Sequence, residues 1–291
     1  MIKMNLFTAT ALASLLLALS PAEAAGGAAR AWVSGHGTDA AGCGAPTNPC
    51  RTFQYVHDNI IAAGGEIDVL DPAGYGAVTI TKAVSIVNDG VGVAGVQAAS
   101  SGGYGVVING GPNDVISLRG LTIEGAGLGA EGVKFVGGAS LTIENCVVRH
   151  FTEAGIDFAP AGSNLSRLVV SKSTSSDNAD GIAIDPQGSG AAEATVLDSV
   201  AANNSNVGFF SATTGASATM TVIRSAAVNS SGGTGLSAFG SGATLRVGQS
   251  TVTGNVAGWT TTSGGVLASY GDNYIDGNGG NEAAPPSVAR K

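Results

Sequence analysis

Charge, aromatic rings and basic residues are all scarce in this sequence. Charged side chains make up 12% of its 291 residues and aromatics 5%. Only 13 Lys+Arg stand against 21 Asp+Glu, a formal net charge of −8, and no basic stripe is available to neutralise phosphates. That argues against nucleic acid as a partner. Beyond residue 24 no stretch is long and apolar enough to span a bilayer, which argues against membrane insertion. Low charge together with 46 glycines does not describe a helical protein. It fits many short strands separated by tight turns.

The one strongly apolar run lies at the start. Met1-Ile2-Lys3, then "LFTATALASLLLALS", then Ala22-Glu23-Ala24 describe a signal peptide over residues 1–24, with a retained anchor as the alternative. The expectation is an exported protein, secreted or periplasmic. Of the three cysteines, Cys43 and Cys50 enclose "GAPTNP". In an oxidising compartment they are placed to pair, whereas a metal site would need more ligands than stand nearby. Cys146 sits inside the repeat described next and reads as a small buried residue.

The repeat organises the rest. Small residues recur at Leu121, Cys146, Ser173, Ser199, Ser225 and Ser250, in steps of 25 to 27 residues. Three positions before each stand Leu118, Ile143, Val170, Val196, Val222 and Val247; five before stand Ile116, Leu141, Leu168, Ala194, Met220 and Leu245. Period-two alternation puts these columns on one strand face and Thr142, Thr195 and Thr221 on the other. A second set of columns begins at Gly105, Gly132, Gly155, Gly181, Gly208, Gly235 and Gly258, each followed by an apolar residue. Between the two sets lie polar turns carrying Asn178, Asn204, Asn229 and Asn255, and positive φ is the expected role of these glycines and asparagines. Units of about 26 residues cannot bury an apolar face alone, but stacked coil on coil they can. The reading is an all-β, single-stranded parallel β-helix whose column of Cys and Ser is buried by hydroxyls bonding along the stack.

Residues 31–87, from "AWVSGHGTDAAGCGAPTNPC" to "TITKAVSIV", resemble the opening of secreted right-handed parallel β-helix repeat proteins. The coils that follow are similar to those of the pectin-lyase-like superfamily. That resemblance implies a right-handed solenoid and leaves activity open, because the superfamily includes lyases, hydrolases, epimerases, tailspikes, adhesins and proteins without known activity. In its light, "TFQYVHDNIIAA" (52–63) reads as an N-terminal capping helix with Thr52 as N-cap, Phe53, Val56, Ile60 and Ile61 on one face, and Gly64-Gly65 at its end. The expected organisation is residues 25–64 as an N-terminal segment with the disulfide loop and capping helix, 65–278 as the β-helix, and 279–291 as a flexible tail.

Three groups of polar residues stand out. Lys134 and Asp157 should project side by side on adjacent coils, with Arg149, His150 and Glu153 in the intervening turn. A base, a polarising cation and a carboxylate could be assembled there, or a solvated ion pair beside a turn. Lys172, Asp198 and Arg224 should stack with alternating sign as a ligand face or a structural ladder. Asp177, Asp180 and Asp185 are the best candidates for calcium, with turn formation as the plainer role. "IDPQGSG" (184–190) resembles the Asp-Pro-His-Asp motif of alginate epimerases but has Gln187 and Gly188 where the His and second Asp would be. Phe210, Tyr270 and Tyr274 are the aromatics that could meet sugar rings. The leading expectation is a non-catalytic β-helix presenting a rigid polar surface to polysaccharide or an envelope component. The alternative is a polysaccharide lyase acting on acidic polymers. Neither reading calls for a cofactor beyond calcium, and oligomeric state is left open.

Overall fold

The computed structural model describes residues 27–98 and 100–289, so the expected signal peptide lies outside the described residues. Three parallel sheets of ten, nine and eight strands run the length of the chain. Each coil contributes one strand to each sheet in turn, as Ser140–Glu144, Val147–Arg149 and Ala154–Phe158 show. The architecture is a single-stranded, right-handed parallel β-helix. Val170 pairs with Val196 and Val196 with Val222, each in register, so like positions lie on top of one another. The inward columns close a dry interior: Ile143, Val170, Val196, Val222 and Val247 have no exposed surface. Phe135 and Phe158 stack there with ring centroids 4.3 Å apart. Burying each such side chain stabilises the fold by about 1.5–3 kcal/mol relative to exposure.

Side-chain ladders close two of the bends over the middle and later coils. At the bend from the ten- to the nine-stranded sheet, the N–H of Cys146 donates to Ser173 Oγ (3.1 Å), Ser173 to Ser199 (3.2 Å), Ser199 to Ser225 (3.1 Å) and Ser225 to Ser250 (3.1 Å). Each of these hydroxyls donates to the carbonyl two residues before it. The hydroxyls therefore link backbone to backbone rather than to one another. At the next bend Asn178 and Asn204 form a buried amide ladder, continued by Asn255 and Asn278.

Two expectations about this bend are corrected. Positive φ falls one residue earlier, at Asp177 (59°), Asn203 (55°), Asn229 (59°) and Gly254 (72°), so of the four asparagines only Asn229 bends the chain. The glycine column is not in the left-handed region either. A Cβ at Gly181 would come 2.4 Å from the Gly208 carbonyl oxygen and 2.9 Å from Asn204 Nδ2, so close approach of the next coil selects glycine there.

The ends also differ from the sequence reading. The helix spans only Phe53–Asn59, with Thr52 as N-cap accepting the Tyr55 N–H, because Ile61 already begins a strand. That strand, Ile61–Val69, pairs with Ala28–Val33, so the solenoid begins near residue 28 and Gly64-Gly65 lie within its second strand. Phe53 and Val56 are buried, as expected of a capping face. Cys43 and Cys50 form a disulfide beside the first strand, where Cys50 N–H donates to the Trp32 carbonyl. At the other end, residues 279–289 lie against the last coil. Ser269 N–H donates to the Pro286 carbonyl, Val288 N–H to Ser269 and Trp259 Nε1 to Ala283. The boundary at 279 does not end the folded body, since this segment satisfies backbone groups that the last coil would leave unpaired.

Candidate functional site

The outer face of the eight-stranded sheet carries the densest set of buried charge. Lys134 on Glu131–Gly137 is in register with Asp157 on Ala154–Phe158. Residues alternate in and out along these strands, so Val133 and Phe135 enter the core while Lys134 faces out over Glu131. Lys134 Nζ donates to Asp157 Oδ2 and, at 2.9 Å, to Glu131 Oε1. Glu131 is 6% exposed and its second oxygen, Oε2, is buried without a partner. Asp180, in register with Ala154 on the next coil, accepts hydrogen bonds from Asn206 Nδ2 (2.8 Å) and the Val207 N–H (3.0 Å).

Burial, reinforced by the neighbouring Asp157 charge, pushes the Glu131 carboxyl up to about 7. Asp157 is raised by burial in spite of its bond to Lys134, with Asp185 and Glu153 adding repulsion. Burial raises Asp180 as well. Burial works against the charge on Lys134, but its hydrogen bonds to Asp157 and Glu131 outweigh it and hold the ammonium above its ordinary range. Two carboxylates, one from its own strand and one from the next coil, thus hold the Lys134 ammonium on this face.

Arg149 and His150 do not join this group. They sit on the exposed side of the nine-stranded sheet and share Glu124, from Arg149 Nε at 2.9 Å and His150 Nδ1 at 2.8 Å. Burial opposes the Glu124 charge, yet hydrogen bonds from the Ala126 N–H, His150 and Arg149 hold its carboxyl below the usual range. The bend at residues 150–153 turns the two sets onto different faces, and among the described residues no ion pair joins them. Glu131 was missed because its column reads Tyr104, Glu131, Ala154, Asp180, without a pattern. The available signal was Asp180 in the same column and Lys134 three residues on.

Lys172, Asp198 and Arg224 all occupy the left-handed region, with φ of 49°, 50° and 48°, at the bend after the ten-stranded sheet. Arg224 grips Asp198 with two bonds of 2.8 and 2.9 Å, whereas Lys172 turns back to Glu144 at 3.6 Å. The ladder is one exposed pair plus a separate contact. Asp177, Asp180 and Asp185 do not converge: Asp177 is an exposed bend residue, Asp180 is held by Asn206 and Val207, and Asp185 follows the strand. Among the described residues, no three His, Cys, Asp or Glu are grouped to hold a metal ion.

Residues 82–279 match the family model described as the right handed beta helix region. The chain belongs to this β-helix family. A solved relative in fold, the crystal structure of pectate lyase Pel9A, superposes with a TM-score of 0.57 at 17% identity, over 84% of this chain and 70% of that one. At that identity the likeness concerns the β-helix fold alone. Among curated proteins there is no match. The disulfide suits a β-helix protein of an oxidising compartment, and no helix among the described residues is long and apolar enough to cross a membrane.

Proposed function

We propose that the protein binds polysaccharide, or another hydroxyl-rich component of the cell envelope, on the outer face of the eight-stranded sheet without cleaving it. The clamp on Lys134 carries the reading. Elimination from a uronic acid needs a group that accepts a proton, and Lys134 is kept protonated by Asp157 and Glu131. Next along the same face, Asp157 is followed in register by Ala183 and then Phe210, about 10 Å away over two rungs. A polar cluster beside a partly exposed ring suits a sugar polymer. Glu131 and Asp157 hold a single lysine, and Glu153, Asp180 and Asp185 lie close enough to act on those carboxyls or be acted on by them, so neutral or amino-sugar polymers fit this face better than polyuronates. The second reading, a lyase acting on acidic polysaccharide, draws on the likeness to a pectate lyase and requires Lys134 to shed its proton.

Affinity gels containing a neutral glucan, a glucosamine polymer or polygalacturonate should retard the protein in the first two and not the third. Incubation with polygalacturonate or alginate, with and without calcium, should give no unsaturated product by ultraviolet absorbance. Product that disappears in Lys134→Ala would replace binding with lyase activity. Unretarded migration in every gel would remove the binding reading.

A further inference from the structure

We propose that Lys134 and Asp157 condense to an amide, a covalent staple between adjacent coils, with Glu131 carrying the proton. The reacting groups are already in contact: Lys134 Nζ donates to Asp157 Oδ2 and, at 2.9 Å, to Glu131 Oε1. Lys134 and Asp157 stand opposite one another in register on neighbouring strands, so a bond between them follows the existing sheet. Among the described residues no other lysine is so placed. Lys82 donates to the Ile61 carbonyl, and Lys172 meets Glu144 only at 3.6 Å with both side chains exposed. The Lys134 and Asp157 side chains are 23% and 13% exposed, and Glu131 is buried more deeply still. In dilute water such an amide hydrolyses rather than forms. Holding the two groups in contact is worth an effective concentration of about 10⁵–10⁸ M, and exclusion of water favours the bond further.

The step balances without a co-reactant. The Lys134 ammonium passes one proton to Glu131 Oε1, and the amine attacks Asp157 Cγ to form the C–N bond. Glu131 returns that proton to a carboxylate oxygen of Asp157, which departs with a second amine proton as water when its C–O bond breaks. One positive and one negative charge vanish together, and Glu131 ends as it began. Burial raises both carboxyls, which makes them better acceptors of the ammonium proton than surface carboxylates. Glu131 has no donor besides Lys134 among the described residues, so nothing competes for that role. The ammonium is the resting state before the bond forms. A staple needs the neutral amine once in the life of the molecule, whereas a lyase would need it at every turnover. The amide nitrogen that results accepts no proton, so the staple stands independently of what this face binds.

Trypsin digestion of the purified wild-type protein, denatured and reduced, reads the bond by mass spectrometry. Without a link, cleavage after Arg119, Lys134, Arg149 and Arg167 gives separate peptides 120–134, 135–149 and 150–167. The amide blocks cleavage at Lys134 and joins 120–149 to 150–167, one water lighter than the two together. That joined peptide is the expected product from most molecules. Lys134→Arg, which trypsin still cuts, and Asp157→Ala should give separate peptides only. Glu131→Gln should cut the joined fraction by roughly tenfold or more. Separate peptides alone from folded wild-type protein would overturn the staple. So would a loss of water with Lys134 still cleaved, which would place the loss in a succinimide at Asp157. An unchanged joined fraction in Glu131→Gln would overturn Glu131 as the proton carrier. The wild-type digest uses unaltered protein, so it decides the matter even if a variant fails to fold.

Discussion

The eight-stranded sheet has one backbone and two chemistries. Over Glu131–Gly137, Ala154–Phe158 and Asp180–Ile184 its outer side carries Glu131, Lys134, Asp157 and Asp180. Over the next three strands the equivalent positions are Val207 and Phe210, Thr234 and Ser237, then Ala257 and Thr260. Register is unbroken between the halves, so the charged positions are not what forms the sheet. The inward columns and the bend ladders set the backbone, and outward positions are left to vary in chemistry. Charge in one half is therefore a local device with a local cost, which mutation can expose.

The largest effect should come from breaking the charged half at its centre. Asp157→Ala leaves Lys134 partly buried with only Glu131, and should destabilise by about 2 kcal/mol, less than the full penalty for an orphaned buried charge because one partner survives. Ser237→Ala, three coils further along the same column, should change stability by less than about 0.5 kcal/mol. Denaturant midpoints at fixed slope measure both. Equal losses would mean that the two halves do not differ as described.

Titration gives the second test. An acid whose folded pKa is raised binds its proton more tightly when folded, so its contribution is fully present below the unfolded value and is lost as pH rises through the folded one. For Glu131 that window runs from the ordinary glutamate value of 4.5 to about 7. Stability should fall across it, and Glu131→Gln should flatten the profile, gaining roughly 1–2 kcal/mol at pH 8 relative to wild type. Thermal unfolding from pH 4 to pH 8 reads the difference. An unchanged slope in Glu131→Gln would show that the buried Oε2 carries no such cost.

The same division explains what could be read from sequence. Parallel in-register stacking places each residue on its own equivalent, so Val170, Val196 and Val222, and the Ser173 to Ser250 column, announce the fold directly. Lys134 and Asp157 could be paired because both follow a column glycine by two residues. Arg149 and His150 were grouped with them by nearness in the chain, but a left-handed residue at 150 (φ 60°) turns the backbone between the two faces. Glycine's two uses, positive φ and close approach, look alike in a sequence, which is why the Gly181 column was misassigned. Residues 279–289 bond the last coil mainly through backbone groups, and these leave no residue pattern.

A third test asks how far the neutral half depends on its ladder. Ser230 interrupts the asparagine column: its N–H donates to Asn255 Oδ1 at 2.9 Å, but its own Oγ is buried without a partner. Ser230→Asn should restore an amide there, satisfy the bend of the coil before it and stabilise by about 1 kcal/mol. A loss instead, measured by denaturant midpoint, would mean that the coil is too tight at residue 230 for an amide.

The smallest effect belongs to the corner beside the charged half. Lys172 is held at φ 49°, where asparagine is tolerated far better than lysine, and the preceding coil has Asn145 at that place with φ 54°. Its contact with Glu144 is exposed and 3.6 Å long, so losing it should cost almost nothing. Lys172→Asn is therefore expected to raise stability by about 0.5 kcal/mol, while Arg224→Asn, which gives up the bidentate grip on Asp198, should gain less. If both substitutions gain equally, the Asp198 pair contributes nothing to the fold and its two partners are free to serve a ligand. If Lys172→Asn destabilises, the lysine does more at that bend than fill a left-handed position, and outward residues are not as independent of the backbone as the two halves of the eight-stranded sheet imply.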